Sequence, residues 1–255
     1  MLSEKILIKN RDNYELNVVY YQCKHGSLSN SLIILCHGFT GEKTEWGRFT
    51  RTCDRLCEVG YDSIIFDFSG SGDNVRIPIT LTKQIEDLED VANWGKIKGY
   101  TKIGTIGLSF GGITSILATI SQRKVAIFWA PAFNMKRIIG SNRKKLAMLL
   151  LKIKRTPITM NAAGGPILMD KTFFNSIWDA DIEKKLHDFD IPSLIVQGTF
   201  DKDVIPSDSE WAFSLMKKDG KNEIHMVDGA GHEFKENHLE EFIDISQKFL
   251  KKYLS

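Results

Sequence analysis

Four short apolar runs, Ser31–Cys36, Ser63–Phe68, Ile103–Leu108 and Val125–Trp129, punctuate the first half of this 255-residue chain. Leu32 to Cys36 offers no polar side chain to water, the pattern of a strand covered on both faces. Stretches of helical length lie between the runs, at Phe49–Val59, Thr82–Trp94 and Ile113–Ile120. Leu81, Ile85, Leu88 and Ala92 recur at helical spacing with acids between them, so the second stretch is amphipathic. Buried strands alternating with helices build βαβ units, hence an α/β fold with a mostly parallel sheet and helices on both faces.

Two runs at the start, Lys5–Lys9 and Leu16–Gln22, read as antiparallel strands. Ser193–Gln197 and Glu223–Val227 add two more near the end, bringing the expected sheet to eight strands. A helix at Ser207–Lys217 separates the last two, and a closing helix carries Leu239, Phe242, Ile243, Phe249 and Leu250 on one face. About 60 residues, Pro131–Asp190, interrupt this rhythm where one helix would suffice. The expected organisation is therefore a core of residues 1–130 and 191–255 with an inserted cap or lid at 131–190.

A net charge of +2 gives no reason to expect a nucleic-acid partner. No apolar stretch approaches the roughly 20 residues that cross a bilayer, so no stable membrane anchor is expected. Met1-Leu2-Ser3-Glu4-Lys5 leads straight into Ile6, Leu7 and Ile8 without a basic region and apolar core, which points to the cytoplasm. Cys23, Cys36, Cys53 and Cys57 then read as free thiols. Cys53 and Cys57 share a helix face but have no histidine pair to complete a zinc site. The sequence assigns no oligomeric state.

Gly107-Leu108-Ser109-Phe110-Gly111 falls where an apolar run meets an amphipathic stretch. A serine raised on a sharp strand-to-helix turn needs small neighbours so that the backbone can fold back on itself. The helix start beneath it supplies N–H groups for negative charge developing on a carbonyl oxygen. Three other segments follow expected strands, at the sheet edge where sites collect in open α/β folds. His37-Gly38-Phe39-Thr40-Gly41 exposes a main-chain N–H, that of Phe39, which with the N–H of Phe110 would form an oxyanion hole; His37 itself buttresses the loop. Gly198-Thr199-Phe200-Asp201 offers a carboxylate to orient an imidazole, with Asp203 as competing candidate and expected loop-capping residue. Gly229-Ala230-Gly231-His232 offers a general base on a glycine-rich loop. Among the other histidines, His25 and His187 lie in polar stretches, His238 heads a surface helix, and His225 alternates within a strand as a packed side chain.

The order Ser109, Asp201, His232 with a strand–turn–helix serine resembles the α/β-hydrolase superfamily across nearly the whole chain. His37-Gly38-Phe39-Thr40-Gly41, Asp67-Phe68-Ser69-Gly70-Ser71-Gly72, Gly107-Leu108-Ser109-Phe110-Gly111-Gly112, Gly198-Thr199-Phe200-Asp201 and Gly231-His232 match its blocks. Among its branches the chain is most similar to small bacterial carboxylesterases of the cinnamoyl/feruloyl esterase type, which carry a similar His-Gly-Phe-Thr-Gly loop and a compact cap. It departs from many relatives in having Gly70-Ser71-Gly72 where they have Gly-His-Gly. The resemblance implies a serine-dependent carboxylic ester hydrolase with an acyl-enzyme intermediate, a small-molecule acyl ester as partner, and no cofactor or metal. Dehalogenases and epoxide hydrolases resembling this fold use Asp at the nucleophile position and dienelactone hydrolases use Cys, whereas this chain has Ser109.

The same triad serves an acyl-thioesterase or a serine aminopeptidase, the latter if Asp170, Asp179, Asp181 or Glu183 receives a substrate ammonium. A non-catalytic ligand-binding protein would not need an intact Ser, Asp and His. In the cap, Phe133, Met135, Phe173, Phe174, Trp178 and the run Leu146–Leu151 would roof an apolar pocket or form the cap's own core. That run is bracketed by Arg143, Lys144, Lys145 and Lys152, Lys154, Arg155, with no acid from Lys136 to Arg155. Such a segment is a solvated lid helix, or it meets an anionic membrane surface or an anionic substrate tail such as a phosphopantetheine carrier. Ala163-Gly164-Gly165-Pro166 reads as a flexible joint.

Overall fold

The computed structural model describes residues 2–23, 30–162 and 164–254; His25 and Ala163 lie outside them. The chain runs β1 (Leu2–Lys9), β2 (Glu15–Gln22), β3 (Ser31–Cys36), α1 (Arg48–Glu58), β4 (Asp62–Phe66), α2 (Leu81–Ile97), β5 (Lys102–Leu108), α3 (Phe110–Leu117) and β6 (Arg123–Trp129). It then forms α4 (Met135–Ile139), α5 (Ser141–Lys154), β7 (Ile158–Met160), β8 (Ile167–Met169), α6 (Lys171–Asp179) and α7 (Ile182–Asp188). β9 (Ser193–Gly198), α8 (Pro206–Leu215), β10 (Glu223–Val227) and α9 (Asn237–Leu254) complete it. Eight strands make one sheet in the order β1-β2-β4-β3-β5-β6-β9-β10. β2 pairs antiparallel with both β1 and β4, and the remaining pairs are parallel. This is the mostly parallel eight-stranded sheet of the α/β-hydrolase fold.

The apolar runs are continuous because each strand feeds two cores. Ile33 and Leu35 of β3 pack with Phe49, Cys53 and Leu56 of α1 and Phe242, Ile243 and Leu250 of α9. Leu32, Ile34 and Cys36 face the other way, toward Leu88, Val91 and Ala92 of α2. β6 divides likewise: Val125, Ile127 and Trp129 go to the α9 side, Ala126 and Phe128 to the side holding Ile113 and Ile116 of α3. The strand order reverses between β3 and β5, which pair directly with Cys36 opposite Gly107. Connections leaving these two carboxyl ends diverge and open a crevice, the usual ligand position in open α/β sheets.

Several boundaries shift by a few residues from the sequence reading, and two of these shifts have clear physical reasons. β4 ends at Phe66, because the Asp67 carboxylate turns the chain by accepting N–H bonds from Lys43 and Asp73 at 2.7 and 2.9 Å. Helix α3 begins at Phe110 and not Ile113, so Gly111 and Gly112 are helical despite their poor propensity. Close packing requires them. A Cβ on Gly111 would sit 2.1 Å from the Cys36 carbonyl oxygen, and one on Gly107 would sit 2.5 Å from that of Gly111. Gly111→Ala is therefore expected to destabilise the fold by about 2–3 kcal/mol through overpacking against backbone. Thermal unfolding should show the midpoint about 5–10 °C lower; an unchanged midpoint would mean that α3 can shift away from β3.

Between β6 and β9 the short β7–β8 hairpin went unanticipated, its three-residue strands being too brief to show a period. Ile79 N–H donates to the Leu168 carbonyl at 2.9 Å and ties this hairpin to the segment before α2. Asp170 and Asp181 accept backbone N–H bonds that start α6 and α7. α7 packs on α3 and α8. Cys36 and Cys53 are buried, Cys23 and Cys57 half-buried, and all four are free thiols. Among the described residues no helix is long and apolar enough to cross a membrane.

Candidate active site

Ser109 stands between β5 and α3 at φ +52°, a conformation non-glycine residues adopt rarely and under constraint. Three backbone bonds hold it there. Its N–H donates to Trp129 O at 2.9 Å, and its carbonyl accepts from Gly112 and Ala132 at 3.0 Å each. The next N–H, that of Phe110, opens α3, where no carbonyl lies one turn back within the helix to accept it.

The loop after β3 lies against this turn. A Cβ on Gly38 would be 3.5 Å from Ser109 Cβ. The Phe39 ring meets Phe110 edge-on at 5.8 Å and stacks on Phe173 of α6 at 5.4 Å, so the segment between β6 and β9 reaches the loop directly. His37 is fully buried: its Nε2 accepts the Phe68 N–H at 3.1 Å, which leaves the proton on Nδ1 to donate to Gly38 O at 2.8 Å. Both ring nitrogens are spent on backbone, so His37 buttresses the loop as expected.

The sequence reading missed Glu45, which does more to shape this loop. It is 1 % exposed; Oε1 accepts the Gly38 N–H at 2.6 Å and Oε2 pairs with Arg48 at 2.6 Å. A Cβ on Gly41 would come 2.1 Å from Oε1, which accounts for glycine there. No spacing rule marks Glu45, since its partners become neighbours only when the loop folds.

At the other end of the sheet edge, Asp201 Oδ2 lies 2.7 Å from His232 Nδ1. The Asp201 side chain is wholly buried and that of His232 is 22 % exposed. Asp201 Oδ1 accepts the N–H groups of Asp203 and Val204, both at 2.9 Å. Loop capping thus falls to Asp201 and not to Asp203, which stays exposed, because only the earlier carboxylate points back under the turn. Gln197, a second residue missed, donates from Nε2 to Asp201 Oδ2 at 3.2 Å while its Oε1 accepts the Ser209 hydroxyl at 2.7 Å. Its signal was visible: a polar residue follows directly on the apolar run Leu194-Ile195-Val196 within the strand. Asp201, Asp203 and His232 bring ligand-type atoms within 4.8 Å of one another. Asp201 has both oxygens committed to four donors, which fits a structural and orienting carboxylate better than a metal ligand.

Ser109, His232, Phe39 and Phe110 line one cleft of about 370 Å³. Met135 and Ile138 of α4 form part of its wall, with Trp46, Arg48 and Glu233 at the same cleft. A hydrogen bond from Lys235 holds the Glu233 carboxyl below the usual carboxylate range. Asp170, Asp179, Asp181 and Glu183 are not among the lining residues, and two of them are occupied as helix caps. Phe133 packs edge-on against Phe128, and Phe174 against Phe173, in the core below. Leu146, Leu149 and Leu150 are exposed and take no part in the cleft. His225 is exposed on the edge strand β10, not packed, because β10 has a partner only on the β9 side. At Gly164 a Cβ would sit 2.7 Å from the Gly41 carbonyl oxygen, and the Gly164 carbonyl accepts from Arg76 at 3.1 Å.

A mostly parallel sheet with a serine turn, an acid loop and a histidine loop at its carboxyl edge defines a class, and comparison with known proteins names it. The model of the alpha/beta hydrolase family matches residues 33–245, and the chain belongs to that family. Among solved structures it is similar to the α/β hydrolase GrgF from Penicillium sp. sh18, with a TM-score of 0.83 and 18 % identity, covering 100 % of this chain and 99 % of that one. It is also similar to Est1E from Butyrivibrio proteoclasticus, solved with ferulic acid bound, at a TM-score of 0.79 and 23 % identity over 98 % and 99 % of the two chains. By sequence it is 28 % identical over 115 residues to a 2-hydroxy-6-oxononadienedioate/2-hydroxy-6-oxononatrienedioate hydrolase of Escherichia coli, 42 % of this chain and 36 % of that protein. An uncharacterized 31.7 kDa protein of the traX-finO intergenic region of Escherichia coli is 32 % identical over 110 residues, 41 % and 38 % of the two lengths. The chain thus matches little more than a third of the length of these curated relatives.

Proposed function

We propose that the protein hydrolyses carboxylic esters of small acyl groups through Ser109, His232 and Asp201. The observation that carries this reading is the 2.7 Å bond between buried Asp201 and His232, with His232 and Ser109 facing one cleft. Ser109 Oγ attacks the acyl carbonyl while His232 takes its proton, and Asp201 holds the imidazole with Nδ1–H toward itself. The N–H groups of Phe39 and Phe110 hold the oxyanion. His232 then gives the proton to the leaving alcohol, and a water deprotonated by the same imidazole cleaves the acyl-enzyme. Residues 131–190 act as the cap, with Met135 and Ile138 bounding the acyl side and Phe173 packed behind Phe39.

A cleft of about 370 Å³ lies at the small end of ligand sites, which favours short and medium acyl groups or a phenylpropanoid over palmitate. Likeness to Est1E, solved with ferulic acid, supports including methyl ferulate. The test is a p-nitrophenyl ester series from acetate to palmitate beside methyl ferulate, with fluorophosphonate labelling of the protein. The expected outcome is a maximum at short or medium length or on ferulate, and labelling at Ser109. Labelling without ester turnover would move the substrate to a thioester; absence of labelling would sink the nucleophile.

A further inference from the structure

Helix α5 has no buried residue along its 14 positions. It is nevertheless apolar on two opposite sides. At about 100° per residue, Ala147, Met148 and Leu151 share the inward side and pack against the core. Lys144 joins them, its ammonium 4.4 Å from the centre of the Trp178 ring of α6. Leu146, Leu149, Leu150 and Ile153, at i, i+3, i+4 and i+7, form a second stripe facing away, exposed to 58, 53, 37 and 68 %. A stripe of four large aliphatic residues on one helix face is the arrangement that buries itself against a partner.

The charges around the stripe select that partner. By the same helical count, Arg143 and Lys154 border one side of the stripe and Lys145 and Lys152 the other. The segment 136–155 holds eight cations and no acid in a chain of net charge +2, so the remaining residues together stand at −6. Beside the helix, a groove of about 760 Å³ adds Arg155 and Lys171 to a floor that includes Met148 and Leu151, with Asp170 as its one acid. Nucleic acid would satisfy the cations and leave the stripe wet. A second copy meeting this face about a two-fold axis would set cations against cations. An anionic lipid surface satisfies both, taking the leucines below the headgroups while lysine and arginine stems reach up to the phosphates.

We propose that α5 is a reversible docking helix for an anionic lipid bilayer, lying in the plane of the headgroups with Leu146, Leu149, Leu150 and Ile153 inserted. At 1.5 Å per residue it spans about 21 Å along the surface. The same helix touches α6, whose Phe173 stacks on Phe39, so the docked element is in packing contact with the wall of the cleft.

The experiment is co-sedimentation of the full chain with vesicles of ether-linked phosphatidylcholine, alone or mixed two to one with ether-linked phosphatidylglycerol. Ether lipids keep binding separate from any hydrolysis. Partition onto the mixed vesicles is expected to exceed that onto phosphatidylcholine at least tenfold, and to fall steeply at about 1 M salt, where screening is short-ranged. Leu149→Asp/Ile153→Asp and Lys145→Glu/Lys152→Glu should each lower it at least tenfold. Both variants should keep the wild-type unfolding midpoint, and any wild-type rate on soluble p-nitrophenyl acetate, because none of these four side chains lines the cleft. Equal binding to both vesicle types, or binding that ignores the aspartates, overturns the proposal. So does a wild-type dimer that Leu149→Asp/Ile153→Asp converts to monomer, which would assign the stripe to a second copy. None of these readouts requires the protein to be an esterase.

Discussion

Ser109→Ala is expected to reduce kcat/KM on the best ester by about 10⁶-fold, the scale reached when a serine nucleophile is deleted from an intact triad. The fold should not notice. Backbone bonds from Ser109 to Trp129, Gly112 and Ala132 survive the change, and alanine keeps the Cβ that lies beside Gly38. Residual catalysis of about 10³–10⁴ over water would remain if the Phe39 and Phe110 N–H groups still polarise the carbonyl. The measurement is steady-state turnover of wild type and variant, with an unfolding curve for each. A variant retaining a tenth of the wild-type rate would require another nucleophile, and the assignment of Ser109 would fall.

Asp201→Asn is expected to lower kcat by about 10⁴-fold with little change in KM, for a reason visible in the hydrogen bonds. Oδ1 accepts two backbone N–H groups, so the amide oxygen of asparagine has to occupy that side. Its NH₂ then faces His232 Nδ1 and the Gln197 NH₂. The imidazole can answer a donor only with the Nδ1 lone pair, which moves its proton to Nε2, the nitrogen required to receive the serine proton. The outcome is a folded protein with the wrong tautomer. Asp203→Asn provides the control and should leave turnover near wild type, since Asp203 is exposed and its neighbour carries the bond to His232. A reversal of the two phenotypes would transfer the orienting role to Asp203.

Much of this was legible in the chain. The runs at Ser31–Cys36, Ile103–Leu108 and Val125–Trp129 announced strands buried on both faces, and the cores on either side of Ile33 and Leu32 are why they have no polar alternation. Glycines around Ser109 announced a close approach of backbone, measured as a Cβ that would meet Cys36 O or Gly111 O. Asp201 and His232 were singled out by their loops, and they lie 2.7 Å apart across 31 residues of sequence.

Other features depended on partners that no local pattern encodes. Glu45 carries no motif, yet it pins the loop after β3 because the fold sets its carboxylate against the Gly38 N–H. Asp203 looked like the loop cap until the turn placed Asp201 beneath it. His225 sat in a strand like any packed residue, and only the position of β10 at the sheet edge left it exposed. Leu146 to Leu151 read as a pocket roof or as the cap's own core; Ala147, Met148 and Leu151 pack inward while Leu146, Leu149 and Leu150 stay exposed, because composition shows that a segment is apolar and not what each side of it meets.

The sequence by itself determined the alternation of strand and helix, the serine turn, and the order in which serine, acid and histidine follow one another. These depend on residues near in the chain, whose periodicity and glycine content bind φ, ψ and burial directly. Only the tertiary structure decided that β3 lies between β4 and β5, that Glu45 and Gln197 stand behind the loops, and that one stripe of α5 remains uncovered. Those are contacts between distant segments, set by how whole faces pack and not by the local preferences of the residues that make them.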